Sequence, residues 1–232
     1  MIDFHVHLLP GIDDGSKNIK MSVAMLKESM RQGIDVSVAT PHFYFDKKRE
    51  KLIEKRNKTY EKLIKYCDSN GIKHPKIVLG FEVFLSEKIY DEPELGSLVV
   101  SGTNTLLLEM PRTKWDDEIF DRVDYIASKG YEIVLAHPER YASVCGKKEY
   151  DKLFSYGFAG QVNAASFVNP ASREIVYRMI KEGRIQLMGS DAHNTGLRAV
   201  FMEIASEFIS RNVGEKYNEM MTENAKHYLG LK

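Results

Sequence analysis

Short apolar runs alternate along the chain with longer stretches in which apolar residues recur at helical spacing. Runs typical of buried strands lie near 2–6, 35–40, 76–82, 106–109, 132–137 and 158–163, and a last one begins at residue 185. The helical stretches lie near 16–31, 52–67, 119–127, 148–156, 171–182, 197–211 and 215–229. Near-continuous apolar strands that alternate with polar-faced helices are typical of a parallel sheet covered by helices. The pattern therefore predicts an α/β fold.

Particular residues set the predicted boundaries of these elements. Ser16 is the predicted N-cap of the first helix and Gly33 its stop. A single strand is expected over 76–82, and the weaker pattern over 86–103 predicts a short helix and loops. No linker, repeat or low-complexity tract divides the sequence, which predicts one domain over residues 1–232.

The first strand carries a candidate metal clamp. Alternation places Asp3, His5 and His7 on one face, so two imidazoles point the same way at the end of the strand. For this motif alone, a surface strand that happens to carry two histidines is an equal alternative. The last apolar run also ends in ligand-type residues, Asp191 and His193. A barrel-like fold would close one site from the first and the last strand.

Imidazoles and carboxylates end nearly every predicted strand. These residues are His5, His7, His42, Glu82, Glu109, His137, Asp191 and His193, and the loop after the first strand adds Asp13 and Asp14. Taken singly, Glu109 could cap a helix and His137 could be a satisfied core histidine. As a set they predict a metal site at the carboxyl ends of the strands. The ligands outnumber the needs of one ion, so two or three ions of manganese, iron or zinc are expected.

Composition and charge narrow the function classes. Lysine plus arginine and aspartate plus glutamate both number 33, so the formal net charge is zero and no general attraction to nucleic acid is indicated. Two distant cysteines, the lack of a membrane-length apolar run and a site-like sequence from Asp3 predict a cytoplasmic protein without membrane insertion. Neither Cys67 nor Cys145 is followed by arginine at the spacing of a Cys-x5-Arg loop, which excludes a thiolate phosphatase of that type.

Clustered divalent ions suit displacement at phosphorus. They clamp the attacking and leaving oxygens and lower the pKa of a bridging water. Such chemistry also needs cations for the non-bridging phosphate oxygens. Arg140 and Arg198 follow His137 and His193 closely and would flank the site, although a surface ion pair is an equal interpretation for either arginine alone.

The ligand order resembles that of the PHP (polymerase and histidinol phosphatase) superfamily. More narrowly, the chain is similar over its whole length to bacterial tyrosine-protein phosphatases of the CpsB/YwqE type. The motifs that carry this resemblance are His5-Val-His7, Asp13-Asp14-Gly15, Gly80-Phe-Glu82, Ala136-His-Pro-Glu-Arg140-Tyr141, Gln161-Val-Asn163 and Ser190-Asp-Ala-His193-Asn194.

The resemblance implies a distorted TIM-like (β/α)7 barrel with three divalent ions. Manganese is the expected metal, with iron, cobalt or zinc as alternatives. The implied ligand groups are His5, His7, Glu82 and Asp191; Glu82, Glu109 and His137; and Asp14, His42 and His193. Asp13 remains an alternative to Asp14. We expect catalysis to depend on Arg140, Arg198, Glu82 and His42, with the two arginines gripping the phosphate.

The implied substrate is a phosphotyrosine protein, a cognate bacterial tyrosine kinase that governs capsular or extracellular polysaccharide. Two enzyme alternatives on the same fold are a small-metabolite phosphatase of the histidinol-phosphate type and a phosphodiesterase. An alternative of another class is a regulatory module that has lost catalysis, against which the complete ligand set argues.

Overall fold

Parallel strands and helices alternate along the chain in the computed structural model, which describes residues 1–45, 48–91 and 94–231. The strands are β1 (Ile2–Val6), β2 (Val36–Ala39), β3 (His42–Phe43), β4 (Lys76–Leu79), β5 (Glu82–Phe84), β6 (Thr105–Glu109), β7 (Glu132–Ala136), β8 (Ala159–Asn163) and β9 (Leu187–Gly189). The helices are α1 (Ile19–Arg31), α2 (Arg49–Ser69), α3 (Asp117–Ala127), α4 (Lys147–Ser155), α5 (Pro170–Lys181), α6 (Met202–Asn212) and α7 (Glu215–Tyr228). Short 3-10 turns occupy Glu87–Asp91, Pro138–Arg140 and Ala164–Phe167. The predicted α/β class is confirmed.

The strands form two parallel sheets that follow one another around the molecule. One sheet has the order β1-β2-β4 and the other the order β3-β5-β6-β7-β8-β9. The chain runs almost directly from β2 into β3 and from β4 into β5, so the described strands occupy seven positions. A parallel bridge between Val6 and Ala192 joins the first strand to the last, and Asp191 N donates to His5 O at 2.7 Å. This TIM-like order brings all the strand carboxyl ends to one edge.

The predicted single strand over 76–82 is wrong, because it is two strands in different sheets. The break at Gly80 and Phe81 lies beside another at Thr40 and Pro41. Pro41 has no N–H to donate to a ladder, whereas its carbonyl accepts from Glu82 N at 3.1 Å. The bend turns His42 and Glu82 toward the strand edge, where their neighbours in β3 and β5 are paired.

The first helix begins later than predicted. Asn18, not Ser16, is its N-cap, and the Asn18 side chain accepts from Met21 N at 3.0 Å. The buried Ser16 hydroxyl instead bonds to Ser22 Oγ at 2.8 Å. The helix ends before Gly33, as expected. Gly33 has a left-handed φ of 73°, which glycine adopts without steric cost.

The sixth helix also begins later, at Met202 instead of 197. The residues before it form a tight loop in which His193 N donates to the Arg198 carbonyl at 2.9 Å. This loop turns the Arg198 side chain toward Asp191, at 3.2 Å. A helix over the same residues would leave neither contact in place.

Apolar side chains fill the space between the strands and the helices. The largest of those fully buried include Phe4, Leu26, Phe43, Leu63, Phe81 and Phe167. Polar side chains are buried as well, and these include His5, His7, Glu82, Gln161 and Asp191 at the strand ends. Buried polar groups are costly unless they are paired, so their concentration at one edge marks a site. Within the described ranges, none of the helices combines the length and apolar character needed to cross a bilayer.

Close packing between β1 and β9 predicts a strong effect of Gly189→Ala. A Cβ at Gly189 would lie 2.6 Å from His5 Cβ and 2.8 Å from its backbone nitrogen. We expect the overpacking to lower the free energy of unfolding by about 1–3 kcal/mol in urea denaturation. Gly96→Ala is the matched control, since its Cβ would meet only Tyr131 Oη at 3.8 Å. Equal stabilities of the two variants would contradict this packing argument.

Candidate metal centre

The predicted ligands gather at the carboxyl edge of the strands. The possible ligand atoms form three groups, and within each group they all lie within 4.8 Å of one another. The groups are His5, His7, Glu82 and Asp191; His7, Asp14, His42 and His193; and His42, Glu82 and Glu109. The groups overlap, because Glu82, His7 and His42 each belong to two of them. His137 lies beside them, with its Nε2 2.7 Å from Glu82 Oε1 and 3.8 Å from Glu109 Oε1.

Glu82 lies at the centre of this arrangement and is fully buried. Its Oε2 atom lies 3.3 Å from His5 Nε2, 3.2 Å from His7 Nε2 and 2.9 Å from His42 Nδ1. Glu82 is therefore the carboxylate around which the candidate ligand nitrogens gather.

The grouping differs in detail from the one implied by the resemblance. The group of His5, His7, Glu82 and Asp191 is the same in both. In the structure His42 forms a group with Glu82 and Glu109, beside which His137 also lies, and His7 joins the group that contains Asp14. Ligand assignments for the shared histidines therefore stay predictions.

Asp13 and Asp14 take different positions in the loop after β1. Asp13 has a side chain only 6% exposed, and its Oδ2 lies 2.7 Å from His7 Nδ1 and accepts from His42 N at 3.0 Å. Asp14 has a side chain 61% exposed, with Oδ1 3.2 Å from His193 Nε2 and 3.4 Å from His42 Nε2. Asp14 thus faces the ligand atoms, whereas Asp13 orients His7 from behind. A carboxylate that holds the outer nitrogen of a ligand histidine is common at metal sites.

Other hydrogen bonds turn the remaining imidazoles inward. His5 Nδ1 donates to Gln161 Oε1 at 2.8 Å, since the Gln161 amide nitrogen donates elsewhere. His193 Nδ1 donates to the Asp191 carbonyl at 2.9 Å. Both arrangements leave Nε2 facing the cluster, which is the atom a metal would need.

Three supporting residues received no role in the sequence reasoning, namely Asp3, Gln161 and Asn163. Asn163 Nδ2 donates to Asp191 Oδ2 at 2.8 Å, and the buried Asp3 accepts from Ser190 N at 2.7 Å. The sequence signal that could have found them is strand alternation, which places Asp3 on the same face of β1 as His5, and Gln161 on the same face of β8 as Asn163.

Both candidate phosphate-binding arginines reach the edge of the cluster. Arg140 Nη2 donates to Asp191 Oδ2 at 2.6 Å, and Arg198 Nη2 lies 3.2 Å from each oxygen of that carboxylate. The side chains are 31% and 38% exposed, so part of each guanidinium faces solvent. Two cations therefore border the open side of the site.

The backbone is strained at two of the predicted ligands. His137 and Asp191 have φ values of 35° and 49°, in a left-handed region that costs most residues free energy. His137 directly follows β7, and Asp191 lies two residues after β9, at the start of the loop to Arg198. Strained backbone of this kind persists where the surrounding structure fixes a side chain for function.

The cluster carries strongly coupled charges. Burial opposes the charged form of His7, but hydrogen bonds to Asp13 and Glu82 outweigh it and raise the pKa of His7 to about 10. Burial also opposes ionisation of Glu82, but the charge of His5 outweighs it and holds the pKa of Glu82 well below its usual range. Burial and then the charge of Glu82 raise the pKa of Glu109 to about 7. The buried carboxylates thus require positive charge beside them, from protons or from metal cations.

Buried atoms that lack a well-formed hydrogen bond show that the residues present fit a metal. Among the described residues these include His42 Nδ1, Glu82 Oε2 and His193 Nε2, which make close contacts in the site without hydrogen-bond geometry. Leaving such atoms unpaired is costly, and these three lie in the overlapping ligand groups. Nitrogen and carboxylate donors without thiolate match the preferences of manganese, iron or zinc.

Relatives that match over nearly the whole of this chain are bacterial tyrosine-protein phosphatases by name. Tyrosine-protein phosphatase CpsB from Streptococcus agalactiae serotype III is 28% identical, over 99% of this chain and 98% of its own. Tyrosine-protein phosphatase YwqE from Bacillus subtilis is 29% identical, over 97% of this chain and 90% of its own.

A solved structure supports the fold. It comes from the crystal structures of Bacillus subtilis YwqE and Streptococcus pneumoniae CpsB, called unique metal-dependent tyrosine phosphatases. The TM-score is 0.82 at 24% identity, with 99% of this chain and 94% of that chain covered. The family model for capsular polysaccharide synthesis, CpsB/CapC, matches residues 1–230. The resemblance found in the sequence is therefore confirmed, and the chain belongs to the CpsB/CapC family.

Proposed function

We propose that this chain is a metal-dependent protein-tyrosine phosphatase, a phosphoric monoester hydrolase. The observation that carries the proposal is the set of overlapping ligand groups around Glu82, bordered by Arg140 and Arg198 at Asp191. The names of the relatives support tyrosine phosphate as the substrate.

Three divalent ions, with manganese as the metal, are the cofactors we propose. The residues to hold them are those of the three groups together with His137, namely His5, His7, Asp14, His42, Glu82, Glu109, His137, Asp191 and His193. Bound ions of this kind lower the pKa of a water molecule and polarise phosphoryl oxygens. The overlap of the groups at Glu82, His7 and His42 supports more than one ion.

The protein's own groups supply phosphate binding and positioning. Arg140 and Arg198 present partly exposed guanidinium groups that can donate to the non-bridging oxygens of a phosphate. The phenolate leaving group of tyrosine, with a pKa of about 10, needs less protonation than an alkoxide. Among the described residues no general acid other than Glu109 is obvious, and hydrolysis of tyrosine phosphate is compatible with this.

Neutralising either arginine should weaken phosphate binding without removing metal. We expect Arg140→Gln and Arg198→Gln to lower kcat/KM by about 100-fold, since each loses charge-assisted hydrogen bonds to the phosphate. Steady-state kinetics and metal content by elemental analysis check this. Arg211→Gln is the control, because Arg211 is 76% exposed on α6 and pairs with Glu207. Unchanged kcat/KM in both site variants would show that Arg140 and Arg198 do not bind the phosphate.

The substrate class is tested by phosphate release from parallel substrates. Phosphotyrosine peptide, phosphoserine peptide, histidinol phosphate and a phosphodiester are compared with added manganese, with and without a chelator. Chelator-sensitive release that is fastest from phosphotyrosine supports the proposal. Preference for histidinol phosphate or for the diester would instead assign the metal centre to one of those substrates.

Loss of catalysis is the remaining alternative, in which the chain would act as a regulatory module. The metal content of the purified protein tests this, because a regulatory module is expected to hold far less than one ion per chain. The complete set of gathered ligand atoms supports the enzyme.

The physiological partner we propose is a phosphorylated bacterial tyrosine kinase that controls capsular or extracellular polysaccharide. The family description, capsular polysaccharide synthesis, supports this link. A formal net charge of zero argues against nucleic acid as the substrate. Cys67 and Cys145 are both free thiols, which supports the cytoplasm as the compartment.

A further inference from the structure

In three neighbouring segments a ring-bearing residue follows a candidate ligand by two positions. The pairs are His42 with Tyr44, Glu82 with Phe84, and Glu109 with Pro111. Glu82 and Phe84 both lie in β5, where this spacing places them on one face, whereas Tyr44 and Pro111 lie just beyond the ends of β3 and β6. The strands are neighbours in the sheet, with His42 level with Glu82 and Phe84 level with Glu109.

These rings form one side of a groove beside the centre. The rings of His42 and Tyr44 have centroids 5.5 Å apart, and those of Tyr44 and Phe84 are 5.6 Å apart. The groove has a volume of about 400 Å³. Tyr44, Phe45, Phe84, Leu85 and Pro111 form its apolar lining, and Ser86, Glu87, Lys88 and Arg122 complete it with polar groups. A cavity of roughly 150 Å³ holds a benzene ring. The groove therefore has room for a phenyl ring and part of the peptide that carries it.

The two sides of the centre differ in character. Arg140 and Arg198 border the side at Asp191, and guanidinium groups there suit the charged oxygens of a phosphate. The side at His42 is bordered by the rings of Tyr44 and Phe84, which contact each other and line the groove. A phosphoryl group held between these sides would direct its carbon substituent toward the rings.

We propose that the groove defined by Tyr44, Phe84 and Pro111 is the subsite for the aromatic ring of the phosphotyrosine. This inference rests on the proposed function and deepens it by naming the source of aryl selectivity. Aromatic rings gain energy from offset or edge contacts at centroid separations like those already present between these side chains. The methylene of a phosphoserine is too short to reach them, so the groove would favour tyrosine over serine.

Binding of two non-hydrolysable phosphonates to the metal-loaded protein tests the subsite. Titration calorimetry with phenylphosphonate and methylphosphonate separates ring binding from phosphate binding and from leaving-group chemistry. For the unaltered protein we expect phenylphosphonate to bind about tenfold more tightly, which corresponds to about 1.4 kcal/mol. Tyr44→Ala and Phe84→Ala should reduce this ratio to less than threefold while the affinity for methylphosphonate stays within twofold.

Matched variants keep the test decisive. Tyr66→Ala is the control, because Tyr66 is an exposed aromatic residue on α2 outside the groove and should leave both affinities unchanged. If an alanine variant fails to fold, Tyr44→Leu and Phe84→Leu keep apolar volume but remove the ring, and the same fall in the ratio is expected.

The outcomes separate this inference from the proposed function. An unchanged phenyl-to-methyl ratio in the Tyr44 and Phe84 variants would overturn the ring subsite, as would a ratio near one in the unaltered protein. Phosphate release from the phosphotyrosine peptide would stand in either case. Conversely, a phenyl preference that these variants abolish, without phosphotyrosine hydrolysis, would retain the subsite and reject the phosphatase.

Discussion

Glu82→Gln should lower kcat/KM by about 1,000-fold or more, which corresponds to about 4 kcal/mol of lost transition-state stabilisation. Glutamine keeps the size of the side chain but removes the negative charge from the centre of the ligand groups. Glu82 faces His5, His7, His42 and His137 within 3.3 Å, and it belongs to two of the three groups. A neutral amide there is a poor ligand for a divalent ion. The kcat/KM from steady-state kinetics and the metal content should therefore fall together.

Glu132→Gln is the matched control for this variant. Glu132 lies at the amino end of β7, is 46% exposed and faces away from the strand edge that carries the site. Its replacement should leave kcat/KM and metal content within twofold of the unaltered protein. A Glu82→Gln protein that retains both would show that the central carboxylate is not a ligand.

Removal of metal should abolish turnover and lower the thermal midpoint by about 5–10 °C. A ligand present at 100 times its Kd stabilises the folded state by about 2.7 kcal/mol, and each kcal/mol shifts the midpoint of a chain of this size by about 2–4 °C. The site itself predicts this sensitivity, because Glu82 is fully buried, and burial together with the charge of Glu82 raises the pKa of the nearby Glu109. Differential scanning calorimetry with a chelator, and then with manganese restored, measures the shift.

The Glu82→Gln protein is the control for the thermal experiment. With its central ligand removed, its midpoint should respond to manganese by less than about 2 °C, since metal binding is the source of the shift. An equal shift in both proteins would mean that manganese stabilises the fold at another place. Full activity after complete removal of metal would reject the metal-dependent mechanism outright.

Local patterns were sufficient to predict the order of the elements. Strand and helix periodicity depends on neighbours a few residues apart, and it placed the helices and most strands within a few residues of their observed bounds. The exceptions depended on distant contacts. The break between β4 and β5 lies beside Pro41, and the late start of α6 depends on the contact of Arg198 with Asp191.

The convergence of the candidate ligands also followed from the sequence. Parallel strands end at one edge, so residues such as His5, Glu82 and Glu109 had to approach one another once the fold was parallel. The sequence could not decide between Asp13 and Asp14, because both lie in the same loop. In the structure Asp13 accepts hydrogen bonds from the backbone N–H groups of Gly15 and His42, and Asp14 faces the candidate ligand atoms.

The sequence by itself determined the α/β class, the family motifs and the chemical types of the candidate ligands, because strand periodicity and residue type are local properties. Only the tertiary structure decided which side chains point into the centre and which support them from behind. Gln161 and Asn163 reach His5 and Asp191 because β1, β8 and β9 pack together across long separations in the chain. Asp13 lies in the loop after β1, where its bond to the distant His42 N holds it beside His7. The aromatic groove was decided in the same way, since Tyr44 and Phe84 become neighbours only through the pairing of β3 with β5.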